Sequence, residues 1–246
     1  MDRWIGKVAV VTGASSGIGA DISIRLANLG LKVVGLARRK ELIDKLAQKV
    51  TGKGKIYSRQ IDLSKESEIK ETFEWIDSEF GGPYILVNNA GYLPVGSITD
   101  YGDQKVNDSA IALTVDVNVK GLILCTRYAV SSMRRWNIEG HIVNINSVTG
   151  HYVPVSQTMN VYPLTKQAVT GFSISLINEL AKYKSKIKVT NLSPGVVKTD
   201  MPPGELANAP KLEIDEVVDA LIYVLSTPPS VNIYELGIKA IGEGLL

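Results

Sequence analysis

Cysteine, histidine and excess charge of either sign are all scarce in this 246-residue chain. The single cysteine, Cys125, cannot form an internal disulfide, which favours a reducing compartment. One cysteine and the two histidines, His141 and His151, offer no metal-ligand spacing, so we expect no metal site. The formal net charge is only +2 and no basic block stands out, which argues against nucleic acid as a partner.

Long hydrophobic runs are also missing from the sequence. The N-terminal stretch "MDRWIGKVAVVTG" holds an apolar segment of about six residues, too short for a signal peptide or a membrane span. We therefore expect a cytoplasmic protein without a transmembrane segment. The hydrophobic share of 45% and charged share of 21% are ordinary for a globular protein, and a chain this long can bury a sizeable core.

Short β-branched runs alternate with longer helical patterns along the chain. Buried strands are predicted at 7–12, 32–37, 84–89, 141–146 and 187–192, with weaker ones at 55–61 and 234–241. Helices are predicted at 17–29, 40–50, 65–79, 103–119, 121–136, 160–183 and 214–226. Gly30 is a predicted helix stop, and Ser64 a predicted helix cap. The alternation predicts one α/β domain over residues 1–246, a doubly wound, Rossmann-like parallel sheet of about seven strands with helices on both faces.

The stretch "VVTGASSGIG" (10–19) places glycines directly between the first predicted strand and the first helix. Glycine lets a phosphate approach the backbone, and a helix N-terminus offers free N–H groups and a positive dipole end. The spacing differs from the common G-x-G-x-x-G fingerprint, and a turn needed only for tight packing is the alternative. The candidate cofactor contacts in this loop are Gly13, Ser15, Ser16, Gly17, Ile18 and Gly19.

The second predicted strand ends in "GLARRK" (35–40), where NAD-binding proteins of this layout place an acid for the ribose hydroxyls. This sequence has Ala37 there, followed by Arg38 and Arg39. An arginine fork pairs well with the oxygens of a ribose 2′-phosphate. We therefore predict NADP as the cofactor; the alternative is that both arginines are solvated charges at a strand end.

Two further strand ends carry candidate cofactor contacts. In "IDLS" (61–64), an aspartate could hydrogen-bond a base amino group, or Asp62 or Ser64 could cap the next helix. In "VNNAG" (87–91), small and amide residues suit close approach of a ligand to the backbone, although a plain turn is equally consistent. The candidates from these two stretches are Asp62, Leu63, Asn89, Ala90 and Gly91.

The stretch "NVYPLTKQAV" (160–169) spaces Tyr162 and Lys166 four residues apart around Pro163, which is tolerated in the first turn of a helix. A lysine cation nearby would lower the tyrosine pKa from its usual value near 10 and make the phenol a useful proton carrier. Ser147, at the end of the fifth predicted strand, could converge on the tyrosine. An exposed polar helix face is the alternative interpretation of the pair.

These motifs together carry a family resemblance. "TGASSGIG", "NNAG", "NINS", the Tyr162–Lys166 pair and "LSPGVVKT" (192–199) occur in the order found in the short-chain dehydrogenase/reductases, which the chain resembles along its whole length. The opening residues, with "GLARR" and "INSVTGH", are most similar to the insect NADP-dependent farnesol dehydrogenases and their vertebrate relatives that reduce steroid ketones.

The resemblance implies catalytic roles for four residues. Ser147 would hold the substrate oxygen, and Tyr162 would transfer the proton. Lys166 would bind the nicotinamide ribose and depress the tyrosine pKa. Asn118, in "VDVNVKG" (115–121), would hold a water in the proton relay.

The resemblance also implies cofactor contacts and marks one departure. Arg38 matches the position that selects NADP, Thr199 would contact the carboxamide, and Val197 belongs to the same cofactor-binding stretch. The family's usual Y-x-A-S/T-K here reads "YPLTK", so Leu164 replaces a small alanine. That larger side chain affects helix packing and pocket shape without displacing Tyr162 or the lysine.

The function expected from the resemblance is an NADP-dependent interconversion of an alcohol and a carbonyl by hydride transfer. Apolar segments at 91–96, 151–155 and 195–197 favour a lipophilic substrate such as an isoprenoid alcohol or a steroid, unless they pack against their own domain. The Pro- and Gly-containing segment 201–213 is a candidate flap. The resemblance implies a homodimer or homotetramer that uses helices near 121–136 and 160–183. A non-catalytic NADP-binding redox sensor or scaffold is the alternative.

Overall fold

The computed structural model of the chain describes residues 1–99, 101–102, 104–154, 158–159 and 161–244, apart from the side chain of Glu205. Its seven strands are β1 Val8–Thr12, β2 Lys32–Ala37, β3 Lys55–Gln60, β4 Ile85–Asn88, β5 His141–Ile145, β6 Lys188–Pro194 and β7 Glu235–Ile238. All six neighbouring pairs are parallel, in the order β3-β2-β1-β4-β5-β6-β7. The doubly wound parallel sheet expected from the sequence is thus confirmed.

Seven α-helices connect these strands within the described residues. They are α1 Gly17–Asn28, α2 Lys40–Ala47, α3 Glu66–Phe80, α4 Asp108–Val115, α5 Leu122–Arg135, α6 Val161–Lys182 and α7 Ile214–Ser226. A π-helical segment, Asp116–Gly121, joins α4 to α5. Gly30, with φ +95°, follows the end of α1 as predicted.

Two helix starts differ from the sequence-based prediction. The helix predicted from residue 103 begins at Asp108, because the Asn107 side chain caps it by accepting from Ala110 N at 2.8 Å. Ser64 does not cap α3; Lys65 occupies the cap position, and the Ser64 hydroxyl bonds to the Asp62 carboxylate instead. Residues 103, 155 and 160, which the predictions included, lie outside the described residues.

The core lies on both faces of the sheet because successive strand residues point to opposite sides. On one face, β-strand residues such as Ala9 and Val33 pack with α1, α2 and α7. On the other face, Val10 and Leu86 pack with α3, α5 and α6. Every residue of β1, β4 and β5 is buried, as expected for central strands covered on both sides.

The continuous helical stretch Asp108–Arg135 is long and apolar enough to cross a membrane when judged by length and composition alone. Core helices of soluble proteins meet the same criterion. This stretch contacts α3, α6 and β4, and its buried residues include Cys125 and Met133. The absence of a transmembrane segment stays a prediction from the sequence.

Two side chains tie the carboxyl end of β1 to that of β4. The Thr12 hydroxyl accepts from the backbone N–H groups of Asn89 and Ala90, each at 3.0 Å. Asn89 Nδ2 in turn donates to Thr12 O at 2.9 Å. From β1 the chain adds β2 and β3 on one side of the sheet and then returns to add β4 to β7 on the other side. The point between β1 and β4 where the order reverses is where α/β sheets form ligand crevices.

The hydroxyl of Thr12 should therefore contribute to stability. Thr12→Val keeps the volume but removes the acceptor, so we expect the free energy of unfolding to fall by about 1–3 kcal/mol. Thr12→Ser keeps the acceptor and loses one methyl group, about 1 kcal/mol. Urea denaturation of the wild type and both variants is the measurement, and a valine variant as stable as the wild type would contradict the assignment.

Candidate active site

A cleft of 1010 Å³ opens along the carboxyl ends of the central strands and extends under residues 201–206. Most predicted site residues line it: Gly13, Ser15, Ser16, Gly17, Ile18, Arg38, Arg39, Asp62, Leu63, Asn89, Ala90, Gly91, Ser147, Tyr162, Lys166, Val197 and Thr199. Gly19 and Asn118 do not line it, and both lie behind its wall. The structure thus brings residues from seven separate stretches of sequence to one cavity.

The glycines of the first loop serve two different purposes. Gly13 and Gly17 have φ values of +68° and +55°, a backbone conformation that glycine adopts without strain. A Cβ on Gly19 would collide with Asn89 Nδ2 and Gly13 O, so Gly19 is required for packing. A Cβ on Gly17 would meet only Thr199 Cγ2, at 3.6 Å, across the cleft.

The N-terminus of α1 faces this cleft. The helix starts at Gly17, and the Ser16 side chain makes no capping bond to it. The first N–H groups of a helix lack intrahelical partners and carry partial positive charge. Ser15, Ser16 and Ile18 therefore surround a position suited to an anionic group.

One end of the cleft carries two exposed arginines. Arg38 and Arg39 follow directly on the buried Ala37, and all three line the cleft. Burial raises the pKa of the nearby Asp62 carboxyl, but hydrogen bonds from Ser64 and the charge of Arg38 bring it below its usual value. The Asp62 carboxylate accepts from Ser64 N at 3.0 Å and from its hydroxyl at 2.8 Å, so it forms a local turn and does not cap α3.

Ser147, Tyr162 and Lys166 meet at the middle of the cleft. Ser147 follows β5 by two residues and caps the short 3-10 helix Val148–Gly150, whereas Tyr162 and Lys166 occupy the first turns of α6. Ser147 Oγ accepts from Thr149 N at 3.2 Å and lies close enough to the Tyr162 phenol to lower its pKa. Lys166 Nζ donates to Ile145 O at 2.8 Å and lies 5.5 Å from the centroid of the Tyr162 ring. The pair is therefore not an exposed polar helix face.

Desolvation shifts the pKa values of Tyr162 and Lys166. Burial raises the pKa of Tyr162 above its ordinary value, and the hydrogen bond with Ser147 offsets only part of that rise. Burial lowers the pKa of Lys166 to about 8. Lys166 is not among the groups that shift the pKa of Tyr162 here, so the expectation that it depresses the tyrosine pKa stays a prediction.

Asn118 occupies the π-helical segment and supports the cleft wall from behind. Its Oδ1 accepts from Tyr92 N at 2.8 Å, and its Nδ2 donates to Tyr92 O at 2.9 Å and to Thr165 Oγ1 at 3.1 Å. Both N–H groups of its side chain are thus engaged with protein atoms, and its amide oxygen accepts one bond. A π-helical segment displaces the regular backbone hydrogen bonds of a helix and is frequent at functional sites.

The other half of the cleft is mainly apolar. The segments expected from the sequence contribute Tyr92, Leu93, Val95, Tyr152 and Pro154. Met201 and Leu206, from the candidate flap at 201–213, also line it. Sequence reasoning missed Leu113, Val117 and Met159. Nothing in the spacing of these three residues distinguishes them from core or loop residues, since only the packing of α4, of the π-helical segment and of the residues before α6 brings them to the cleft.

Residues 194–199 form the wall between the two halves. Val197 forms an isolated parallel bridge with Leu212, and Lys198 N donates to Leu212 O at 2.9 Å. These contacts fix both ends of the intervening segment, whose residues 201–204 and 206 line the cleft. Across the described part of the chain, no three His, Cys, Asp or Glu side chains come together to hold a metal ion.

Comparison with known proteins identifies the family. A family model described as short chain dehydrogenase matches residues 7–208. The chain belongs to the short-chain dehydrogenase family. It is 45% identical to the farnesol dehydrogenase of Aedes aegypti over 99% of both chains. It is 38% identical to dehydrogenase/reductase SDR family member 11 of Mus musculus, over 97% of this chain and 96% of the mouse protein.

Solved structures of short-chain dehydrogenases share this architecture. A short chain dehydrogenase from Burkholderia cenocepacia in complex with NADP is 29% identical, with a TM-score of 0.84 over 96% of this chain and 98% of that chain. A metagenomic short-chain oxidoreductase in complex with NADP is 27% identical, with a TM-score of 0.81 over 96% and 98%. As a member of the family, the chain is an oxidoreductase.

The burial of Lys166 makes stability depend on pH in a defined direction. Its pKa is about 8 in the folded protein and 10.5 ordinarily, so the unfolded chain binds more protons between these values. The cost of burying the ammonium is complete below pH 8 and is relieved as the pH rises towards 10.5. Relative to Lys166→Met, the wild-type protein should gain about 2–3 kcal/mol of unfolding free energy from pH 7 to pH 10.

The measurement is urea denaturation at several pH values in that range. Lys53→Met, at an exposed position, is the control and should differ from the wild type by a constant amount. If the difference between the wild type and Lys166→Met is also constant, the lysine is not desolvated as described.

Proposed function

We propose that this oxidoreductase uses NADP to interconvert an alcohol and a carbonyl on a lipophilic substrate such as an isoprenoid alcohol like farnesol, or a steroid. The observation that carries the proposal is the position of Ser147, Tyr162 and Lys166 in one cleft with the glycine loop and Arg38. An oxidoreductase that transfers hydride needs a dinucleotide and a proton carrier next to each other. This cleft offers residues suited to both.

The residues present fit NADP. The glycine loop and the free N-terminus of α1 suit the pyrophosphate, and Arg38 suits a ribose 2′-phosphate with Arg39 beside it. Ala37, which is buried, leaves no carboxylate to repel that phosphate. Asp62, Leu63, Asn89, Ala90 and Gly91 would line the adenosine and ribose positions, and Val197 and Thr199 the carboxamide. The bound nicotinamide supplies or accepts the hydride.

The protein residues would handle the proton. Because burial keeps the pKa of Tyr162 above its ordinary value, the phenol is protonated at neutral pH and ready to donate to a carbonyl oxygen. The Ser147 hydroxyl, which lies near the Tyr162 phenol, would hold that oxygen. Lys166, fixed by Ile145 O, would bind the ribose hydroxyls and place a positive charge near the phenol as proton transfer proceeds.

Asn118 would support the proton relay through its main chain. Since both N–H groups of its side chain are committed to Tyr92 and Thr165, a relay water would bind at the backbone of the π-helical segment. The same side chain fixes Tyr92, which lines the substrate half of the cleft. Asn118 would thus link the relay to the substrate pocket.

The apolar half of the cleft supports a lipophilic substrate. Leu113, Val117, Met159 and Met201 lie at this end. Apolar linings favour apolar ligands, with a few polar groups to orient them. The similarity to the farnesol dehydrogenase of Aedes aegypti supports an isoprenoid alcohol, and the cleft also suits a steroid.

Location and assembly are also proposed from the sequence. We expect a cytoplasmic homodimer or homotetramer. The exposed apolar side chains Leu164 and Ile174 on α6, 61% and 51% exposed, support a contact on that helix. A non-catalytic NADP-binding protein is the alternative, and it would bind NADPH without turning over any carbonyl or alcohol.

Replacing the proposed proton carrier tests the mechanism. Tyr162→Phe should keep NADPH binding and lower turnover by about 10²–10⁴-fold, the usual contribution of a general acid–base group. Tyr183→Phe, which changes an exposed tyrosine on the same helical region, is the control and should keep full activity. NADPH consumption with farnesal and with steroid ketones is the measurement. Near-normal turnover of the Tyr162 variant would disprove the role.

Substitutions at the end of β2 test the preference for NADP over NAD. One charge-assisted hydrogen bond from Arg38 to the 2′-phosphate contributes about 1.5–3 kcal/mol, on the order of a ten- to hundredfold preference for NADP over NAD. Ala37→Asp combined with Arg38→Leu should reverse the preference. The measurement is kcat/KM with both cofactors, and Arg127→Leu, at an exposed site on α5, is the control. Equal use of both cofactors by the wild type would mean that Arg38 is only a solvated charge.

A further inference from the structure

The C-terminal tail, residues 239–244, places a buried carboxylate in the wall of the cleft. Glu243 is only 9% exposed, and it lines the cavity beside residues 194–199. Both of its carboxylate oxygens lie 3.2 Å from Val196 N, which donates to them. A carboxylate removed from water is costly unless it is hydrogen-bonded. Among the described residues Glu243 has no ion-pair partner, so this backbone N–H is its principal compensation.

The neighbouring glycine makes room for this carboxylate. A Cβ on Gly195 would collide with both Glu243 oxygens and its Cδ. Gly195 N also donates to Ile238 O at 2.8 Å, which continues the pairing of β6 with β7 beyond the strand ends. The wall that carries Val197 and Thr199 is therefore held at two adjacent residues by the C-terminal part of the chain.

The tail has a defined conformation of its own. Glu243 N donates to Ala240 O at 3.0 Å, and Gly242 has a φ of +87°. Lys239 Nζ donates to Gly244 O at 2.8 Å and to the Tyr152 hydroxyl at 3.1 Å. Since Tyr152 lines the apolar half of the cleft, the tail contacts both the wall at 194–199 and the substrate side.

From these contacts we propose that Glu243 is a positioning residue for the cofactor. Its carboxylate fixes the backbone at Val196, and thereby the orientation of Val197 and Thr199 towards the nicotinamide end of NADP. The inference rests on the proposed NADP-dependent function and extends it to a part of the chain outside residues 7–208, the range matched by the family model.

Variants of Glu243 test the inference by cofactor binding as well as activity. Glu243→Ala removes the acceptor and should weaken NADPH binding about tenfold, the loss expected for one charge-assisted hydrogen bond at the lower end of its range. Glu243→Gln keeps one acceptor oxygen and should restore part of the affinity. The Kd is measured by NADPH fluorescence titration, and kcat and KM for NADPH are measured in parallel. We expect KM to rise while kcat at saturating NADPH stays within about twofold.

Two further variants separate positioning from a general loss of stability. Glu179→Gln, an exposed carboxylate on α6, should bind NADPH as the wild type does. Gly195→Ala should displace the Glu243 carboxylate and reproduce the weaker binding of Glu243→Ala with the glutamate still present. Gly195→Ala and Glu243→Gln also keep the test valid if Glu243→Ala does not fold.

The outcomes distinguish this inference from the function on which it rests. A wild-type protein that binds NADPH tightly, with Glu243→Gln and Gly195→Ala equally tight, would overturn the positioning role alone. A wild-type protein that binds no NADPH would overturn the proposed function, and this inference with it. A lowered melting temperature with unchanged Kd would show that Glu243 only stabilises the fold.

Discussion

The hydrogen bonds between the ends of β1 and β4 are the interaction on which the cleft depends. Thr12 accepts from two backbone N–H groups after β4, and Asn89 reaches back to the backbone of β1. The connections of the sheet diverge at this pair of strands, so the helices on either side leave a crevice there. Gly19 can pack against Asn89 only because it lacks a side chain. The floor of the cleft and the start of α1 are thus fixed by one small group of contacts.

The protonation of the side chains in the middle of the cleft depends on their burial. The elements that bring Ser147, Tyr162 and Lys166 together also remove them from water, which raises the pKa of the tyrosine and lowers that of the lysine. Both shifts favour the neutral form of the side chain, so the phenol keeps its proton at neutral pH. At the open end, Arg38 and Arg39 remain exposed, so their charges are available to a ligand rather than neutralised within the protein.

Much of the fold could be predicted from the sequence because its signals are local. The β-branched runs predicted all seven strands to within a few residues, since strands buried on both faces need continuous apolar sequence. The errors fall where a side chain formed a different local bond. The Asn107 side chain caps α4, so this helix starts at Asp108. The Ser64 hydroxyl, which was expected to cap α3, donates to the Asp62 carboxylate instead. Such competition between neighbouring polar groups is decided by backbone conformation, which the residue types alone do not specify.

The sequence by itself determined the class of fold, the family and the candidate residues for phosphate binding and proton transfer, because glycine spacing and the Tyr162–Lys166 pair are properties of residue type and order. Only the tertiary structure decided how those residues are used. It engaged the Asn118 amide with Tyr92, made burial the dominant influence on Tyr162, and brought Leu113 and Glu243 into a cleft formed by distant segments. These features depend on distances between parts of the chain far apart in sequence, and packing alone sets those distances.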